Sequence, residues 1–175
     1  MNNFANWNNG EFLVVTGFAK EFCTQEIHKQ FLETLILENE HPGTLTIKTY
    51  DHPVLNFIEN KRNMLLDLVN LTFNLNVDEI SIGGTCIQYP NGILCHNDEY
   101  NKTVLARGIV TINPTKVFGT DTFSNDKSDN PIELGGEPGD LFIFKVSSDS
   151  WHGVGLKEEP HEDRFSYNIN FYSSS

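Results

Sequence analysis

The hydrophobic and polar positions of the first third of the chain predict one strand followed by helices. Residues 1–10 are polar and rich in Asn, which is typical of an irregular lead-in, and residues 11–18 have the composition of a strand. Thr24 is predicted to be the N-cap of a helix. The apolar positions then recur at helical spacing until His41-Pro42-Gly43 ends the helix; they are Ile27, Phe31, Leu32, Leu35 and Ile36.

The pattern changes after Leu75. Before this point a second helical region follows Pro53, and the polar stretch 59–63 is predicted to divide it. After it, eight strand-like runs are separated by turn residues: 79–89, 93–98, 104–113, 117–123, 131–134, 140–146, 151–156 and 164–173. Eight short strands after a helical segment predict an α+β, mainly β protein, in which helices pack on a jelly roll or small barrel.

Length and composition favour one globular domain. The 175 residues are predicted to form a single unit, with residues 1–76 as helical support and residues 77–175 as the jelly-roll core. With 38% hydrophobic and 21% charged residues, the chain has neither a disordered nor a fibrous composition. Its three cysteines include no CxxC pair, which argues against a disulfide framework and a thiolate zinc site.

The charge and the apolar runs exclude other classes of function. The net charge of −12 opposes binding to nucleic acid and to anionic lipid. No stretch reaches the ~18 apolar residues of a membrane span. Residues 1–10 lack the cationic and apolar regions of a secretory signal. We therefore expect a cytoplasmic protein with no nucleic-acid or membrane partner.

Two histidines and an aspartate form a candidate metal-binding set. His96 and Asp98 end the run that starts at Ile93, and residues i and i+2 of a strand point to the same face. His152 begins a later run. Two imidazoles and one carboxylate on one face of a metal leave other positions open, which is the arrangement of non-haem Fe(II) oxygenases.

The last predicted strand carries a candidate carboxylate clamp. One of its faces is apolar, with Phe165, Tyr167, Ile169 and Phe171. The other face carries Arg164, Ser166, Asn168, Asn170 and Tyr172. In a barrel, one face meets the core and the other meets solvent or a cavity. An Arg offers a planar fork of donors and a neighbouring Ser adds another, a combination suited to a carboxylate.

Taken in chain order, these residues resemble the 2-oxoglutarate/Fe(II)-dependent dioxygenase superfamily: His96-x-Asp98, then His152, then Arg164-x-Ser166. The run 89–98 (YPNGILCHND) is similar to the prolyl-4-hydroxylase-like branch. The run 137–144 (EPGDLFIF), followed by 151–154 (WHGV), is similar to the same branch. The resemblance covers about residues 80–173.

The resemblance implies a double-stranded β-helix that binds Fe(II) through His96, Asp98 and His152. It implies a reaction with O2 in which 2-oxoglutarate becomes succinate and CO2 while a C–H bond of the substrate is hydroxylated, supported by an ascorbate-type reductant. Related halogenases lack the carboxylate at the second ligand position. Because Asp98 supplies it here, hydroxylation is favoured over halogenation.

The resemblance also implies roles in binding the co-substrate 2-oxoglutarate. Arg164 would bind its distal carboxylate, and Ser166 would assist. Tyr89 matches a tyrosine that contacts 2-oxoglutarate in the prolyl-hydroxylase-like branch.

Several alternatives stay open at this point. One is a non-catalytic barrel that senses a metal or small anion, and another is a cupin-like metal enzyme without 2-oxoglutarate, against which the carboxylate clamp argues. Arg107 is either a binder of an acidic substrate group or a surface ion-pair residue. Asn168 and Asn170 are placed to bind a polar substrate. The substrate is a peptidyl proline, a free amino acid or another small metabolite. We expect it to meet the loops 99–103, 121–131 and 157–163.

Overall fold

The chain folds into β-sheets and helices, which a computed structural model describes for residues 2–7, 10–41, 43–48, 51–99, 103–123, 130–156, 158–159 and 161–174. The helices are α1 (Gln25–Thr34), α2 (Pro53–Asn60) and α3 (Arg62–Phe73). The strands are β1 (Asn2–Trp7), β2 (Gly10–Val15), β3 (Leu37–His41), β4 (Thr44–Ile47), β5 (Glu79–Ile87), β6 (Ile93–His96), β7 (Val104–Thr111), β8 (Thr120–Thr122), β9 (Ile132–Leu134), β10 (Leu141–Lys145), β11 (His152–Val154) and β12 (Arg164–Tyr172). Across these described ranges, no helix has the length and apolar character needed to cross a membrane.

The strands form two antiparallel sheets. The larger has the order β1-β2-β10-β7-β12-β5-β4-β3, and the smaller has the order β6-β11-β8-β9. The eight strands predicted after Leu75 are all present, each within a few residues of its expected bounds. The two-sheet, mainly β architecture with supporting helices confirms the predicted jelly-roll fold.

The helices cover one face of the larger sheet. Their buried apolar side chains join those of the sheet in one cluster, to which the helices contribute Phe31, Val54, Ile58, Leu65, Val69 and Phe73. The predicted apolar face of β12 lies in the same cluster, with Phe165, Tyr167, Ile169 and Phe171. Because successive strand residues alternate in direction, the polar face of β12 points away from this core, toward the smaller sheet.

Two local predictions about the helices are confirmed. Thr24 caps α1, since its Oγ1 accepts a hydrogen bond of 3.2 Å from the backbone N–H of Ile27. The polar stretch 59–63 does divide the second helical region, because α2 ends at Asn60 and α3 begins at Arg62.

The first third is less helical than the sequence predicts. The predicted lead-in contains β1, which pairs with β2 at the edge of the larger sheet. Helix α1 ends at Thr34 and not at the Pro-Gly turn, because Leu35 is already extended, and β3 and β4 then form a hairpin. Ile36, counted as helical, is 60% exposed. The segment 1–76 therefore supplies four strands as well as the helices.

Candidate active site

The smaller sheet brings the two histidines together. His96 is the last residue of β6, and His152, the first of β11, lies directly opposite it in the strand register. Their ring centroids are 4.4 Å apart. The ligand atoms of His96, Asp98 and His152 all lie within 4.8 Å of one another. Residues from two separate runs of the predicted pattern therefore converge on one point.

Asp98 reaches this point by a route that the sequence did not predict. The strand ends at His96, not at residue 98, and Asp98 adopts a left-handed conformation with φ of 61°. This turn, and not strand alternation, directs its carboxylate back toward the imidazoles. Oδ1 lies 3.3 Å from Nε2 of His96, and Oδ2 lies 3.4 Å from Nε2 of His152.

Backbone carbonyls hold both imidazole rings. Nδ1 of His96 lies 2.7 Å from the carbonyl oxygen of Leu94, and Nδ1 of His152 lies 2.8 Å from that of Ser150. A carbonyl oxygen only accepts, so each Nδ1 carries the hydrogen and donates it. In the neutral rings, Nε2 is then left with its lone pair facing Asp98. This is the support that metal-binding histidines usually have.

The carboxylate between the imidazoles is fully buried and remains ionised. Asp98 has no exposed surface, and Nη1 of Arg107 lies 2.8 Å from its Oδ2. Burial acts to raise the pKa of Asp98, but the contacts of His152 and His96 and the charge of Arg107 hold it far below its usual range. Neither oxygen has a partner with good hydrogen-bond geometry among the described residues.

The two histidines respond differently to the same carboxylate. Burial lowers the pKa of His152 below its ordinary value, and the attraction of Asp98 does not compensate for it. For the less buried His96, burial again acts to lower the pKa, but the close contact and charge of Asp98 and the contact with the Leu94 carbonyl outweigh it, and the pKa is raised. Because a metal binds the neutral rings, protons compete with a metal mainly at His96.

This donor set fits a divalent metal ion such as Fe(II). The buried carboxylate lacks well-formed hydrogen bonds, and two Nε2 lone pairs converge on it. A cation among these three groups would replace that unfavourable meeting of lone pairs by favourable bonds. Two imidazole nitrogens and one carboxylate are the facial ligand set of non-haem iron sites.

A cavity of about 730 Å³ opens beside the three side chains. Its lining combines apolar residues of both sheets with polar residues of β5, β7, β8 and β12, which include Thr85, Arg107, Thr120, Arg164, Ser166 and Asn168. The polar face predicted for β12 is therefore the floor of this cavity. Thr120 and Thr85 were missed in the sequence, since nothing in their local pattern separates them from ordinary strand threonines.

Arg164 lies in this cavity with donors to spare. It is only 2% exposed, and its Nη2 donates to Oγ1 of Thr120 at 3.2 Å, whereas its Nε has no partner in the described part of the chain. Burial lowers its pKa to about 10, against the opposing charges of Glu133 and Asp121, so it stays protonated at neutral pH. Ser166, also 2% exposed, lies next to it on the same face.

Asn113 fixes the start of the strand that carries this arginine. Its Nδ2 donates to the carbonyl oxygen of Asp163 at 2.9 Å, and its Oδ1 accepts from the backbone N–H of Phe165 at 2.8 Å. Asn113 is buried, and its bond to Phe165 is shielded from water. The two bonds hold the backbone on either side of Arg164, which sets the position from which its side chain enters the cavity.

Tyr89 is not brought into the cavity. Its hydroxyl donates to the carbonyl oxygen of Glu158 at 2.9 Å, and its ring packs edge-on against His161, 4.9 Å between centroids. The residues that line the cavity do not include it. Its predicted contact with 2-oxoglutarate therefore has no support in this geometry. Of the three loops expected to meet a substrate, residues 100–102, 124–129, 157 and 160 lie outside the described residues.

The fold is shared with solved structures of known activity. A prolyl hydroxylase from Trichoplax adhaerens, in complex with a hypoxia inducible factor peptide, superposes with a TM-score of 0.71 at 10% identity, covering 93% of this chain and 83% of that one. A prolyl-4-hydroxylase from Pseudomonas putida gives 0.70 at 12% identity, covering 94% and 93%. HygX from Streptomyces hygroscopicus, with nickel and 2-oxoglutarate bound, gives 0.66 at 12% identity, covering 93% and 83%.

These structural neighbours are prolyl hydroxylases and other 2-oxoglutarate/Fe(II) dioxygenases, the superfamily that the sequence resembles. At such low identity the superposition establishes the common fold. No protein-family profile matches the sequence, and a search of curated proteins finds no match. Activity must therefore be inferred from the chemistry of the site itself.

Proposed function

We propose that this chain is an Fe(II)- and 2-oxoglutarate-dependent dioxygenase that hydroxylates a C–H bond of its substrate and releases succinate and CO2. One observation carries the proposal. A two-histidine, one-carboxylate set with a buried carboxylate lies at the same cavity as a buried arginine with a donor to spare, on a fold whose solved examples include 2-oxoglutarate enzymes. The metal ligands alone would suit many metalloproteins and the arginine alone would suit many anions, but a metal together with a dicarboxylate requires both.

The protein's own groups would divide the work between metal and co-substrate. His96, Asp98 and His152 would hold the iron, and the carbonyl contacts of the two rings keep their Nε2 atoms directed at it. Arg164 would bind the distal carboxylate of 2-oxoglutarate. When bound, the iron and 2-oxoglutarate together supply the O2 activation that oxidises a C–H bond.

The remaining lining would orient the substrate and limit the access of water. Apolar side chains from both sheets face the cavity, among them Ile87, Ile93, Ile109 and Val154. Such a wall strengthens the electrostatic contacts made inside the cavity, because fewer water molecules compete for them. The polar floor of β12 then remains for specific contacts.

The finer proposal is a prolyl-hydroxylase-like hydroxylase in a single-domain chain. The similarity of residues 89–98 and 137–144 to that branch supports it, and so does the coverage of 93% of the Pseudomonas putida prolyl-4-hydroxylase. Proline, free or in a peptide, is accordingly among the first substrates to test for succinate formation.

The test is an anaerobic visible-absorption titration with Fe(II) and then with 2-oxoglutarate. We expect a weak charge-transfer band that appears only with both, that is lost in Asp98→Ala, and that requires much more 2-oxoglutarate in Arg164→Gln. His161→Ala, which alters an exposed histidine outside the cavity lining, is the matched control and should keep the band. A folded protein that binds metal but gives no band overturns the proposal and leaves a cupin-like metalloprotein or a sensor.

A further inference from the structure

The cavity contains a second arginine that the proposed chemistry does not use. Arg107, on β7, lines the same cavity as Arg164, and its side chain is 18% exposed. These two guanidinium groups are the only permanently charged side chains among the described lining residues. The ionised Asp98, which is not itself a lining residue, lies 2.8 Å from Nη1 of Arg107 and offsets part of this positive charge.

The two arginines lie at different ends of the polar floor. Arg107 pairs with Asn170 in the strand register, and its Nε donates to Oδ1 of that residue at 3.0 Å. Asn170 follows Arg164 on β12 by about 20 Å of extended strand. A 2-oxoglutarate held between Arg164 and the metal ligands therefore uses the first arginine, and Arg107 is left for another ligand.

Arg107 is held rigidly but keeps donors free. A guanidinium has five N–H groups. The Nε–H is used by Asn170, and Nη1 lies 2.8 Å from Oδ2 of Asp98. These two contacts leave three N–H groups of the guanidinium unused, one on Nη1 and two on Nη2. Two fixed contacts thus orient a fork whose remaining donors suit an incoming carboxylate.

An acceptor lies beside this donor fork. Asn168, two residues before Asn170 on the same face of β12, also lines the cavity. Its Nδ2 donates to Oγ1 of Thr85 at 2.8 Å, which fixes the amide and directs its Oδ1 away from that contact. A group that accepts from Arg107 and donates to Asn168 would match both, as the carboxylate and ammonium of an amino acid do.

We propose that Arg107 binds the carboxylate of the primary substrate, and that this substrate is a small amino acid with a free carboxylate. The inference rests on the proposed dioxygenase function and names its substrate class. Arg107 is then a specificity-determining residue, and its ion pair with Asp98 places the bound carboxylate next to the metal ligands.

The test compares free amino acids with their amides. Protein loaded with Mn(II) and 2-oxoglutarate is titrated with each of the proteinogenic amino acids and with its primary amide, and the rise in Tm gives the affinities. We expect at least one amino acid to bind about tenfold or more tightly than its amide, because the amide lacks the charge-assisted contact between carboxylate and guanidinium. In Arg107→Gln that ratio should fall to about one, and Arg62→Gln, which removes the same charge outside the cavity, should keep it.

Three results would overturn the inference: no acid binds, acids and amides bind alike in the native protein, or the preference persists in Arg107→Gln. A loss of 2-oxoglutarate binding alone in Arg107→Gln, with the acid preference intact, likewise assigns the residue to the co-substrate. If Arg107→Gln does not fold, Arg107→Lys, which keeps the charge but not the fork, should still lower the ratio severalfold. The charge-transfer band, recorded on the same native protein, separates failure of this inference from failure of the proposed function.

Discussion

His52 gives the fold a sensitivity to acid that can be worked out from its surroundings. It is 2% exposed and lies at the N-terminus of α2, where its Nδ1 accepts a hydrogen bond of 3.2 Å from the backbone N–H of Val54. Its ring packs against Phe31 and Tyr167, at centroid distances of 5.2 and 6.0 Å. Both the cap and the apolar surroundings require the neutral form of the ring.

The magnitude follows from the pKa. Burial, assisted by the nearby charge of His28, lowers the pKa of His52 from 6.5 to about 4. The unfolded chain therefore takes up a proton at higher pH than the folded protein does. The contribution of neutral His52 to the free energy of unfolding is therefore fully present above pH 6.5 and is lost as the pH falls toward 4. At 1.36 kcal/mol for each pKa unit, the total loss is about 3 kcal/mol.

The assay is urea unfolding of the native protein and of His52→Asn at several pH values between 7 and 4. Asn keeps an N-cap acceptor but does not titrate, so the variant should be less stable at pH 7 and should lose about 3 kcal/mol less on acidification. His161→Asn, at an exposed histidine, should follow the native protein. Parallel losses of unfolding free energy in native protein and His52→Asn would refute the reasoning.

Two further predictions concern the backbone around the site. A Cβ added at Gly92 would clash with the carbonyl oxygen of Val154, so Gly92→Ala should push β6 away from β11. We expect Mn(II) binding to weaken about tenfold or more in calorimetric titration. Gly83→Ala, where an added Cβ meets no atom within 4 Å, should leave Mn(II) binding unchanged. Asn113→Ala leaves the buried N–H of Phe165 without its hydrogen-bond partner. It should lower the free energy of unfolding, measured in urea, by about 1–3 kcal/mol and weaken the binding of 2-oxoglutarate. A variant as stable as the native protein would contradict the role given to this side chain.

The strands that the sequence predicted share a physical feature. Those after Leu75 that belong to the larger sheet alternate or run apolar because the helices cover one of its faces and the smaller sheet covers the other; they are β5, β7, β10 and β12. Strands β1, β3 and β4 were missed. The first two are the outermost strands of the larger sheet and β4 lies next to β3, so all three are at or near an edge that pairs with fewer neighbours. Helix α1 was extended too far because Leu35 and Ile36 continue its spacing by coincidence.

For the candidate site, the sequence predicted the three candidate metal ligands as a set but not how they meet. His96, Asp98 and His152 were found as a set, yet Asp98 meets the histidines through a left-handed turn and not through strand alternation. The ion pair between Arg107 and Asp98 joins β7 to the loop after β6, and no local pattern signals it. The position of Tyr89 outside the cavity likewise depends on a contact that has no local sequence pattern, the hydrogen bond from its hydroxyl to the carbonyl oxygen of Glu158.

The sequence by itself determined the order of strands and turns after Leu75, the apolar face of β12 and the identity of the chemical groups. These follow from short-range periodicity and from side-chain chemistry, which does not depend on the position of a residue in the fold. The tertiary structure alone decided which groups meet. The register of β6 against β11 sets the distance between the imidazoles, and the register of β7 against β12 brings Arg107 into the cavity. Such pairings join residues far apart in the chain, and the free energy that fixes them comes from packing the whole fold.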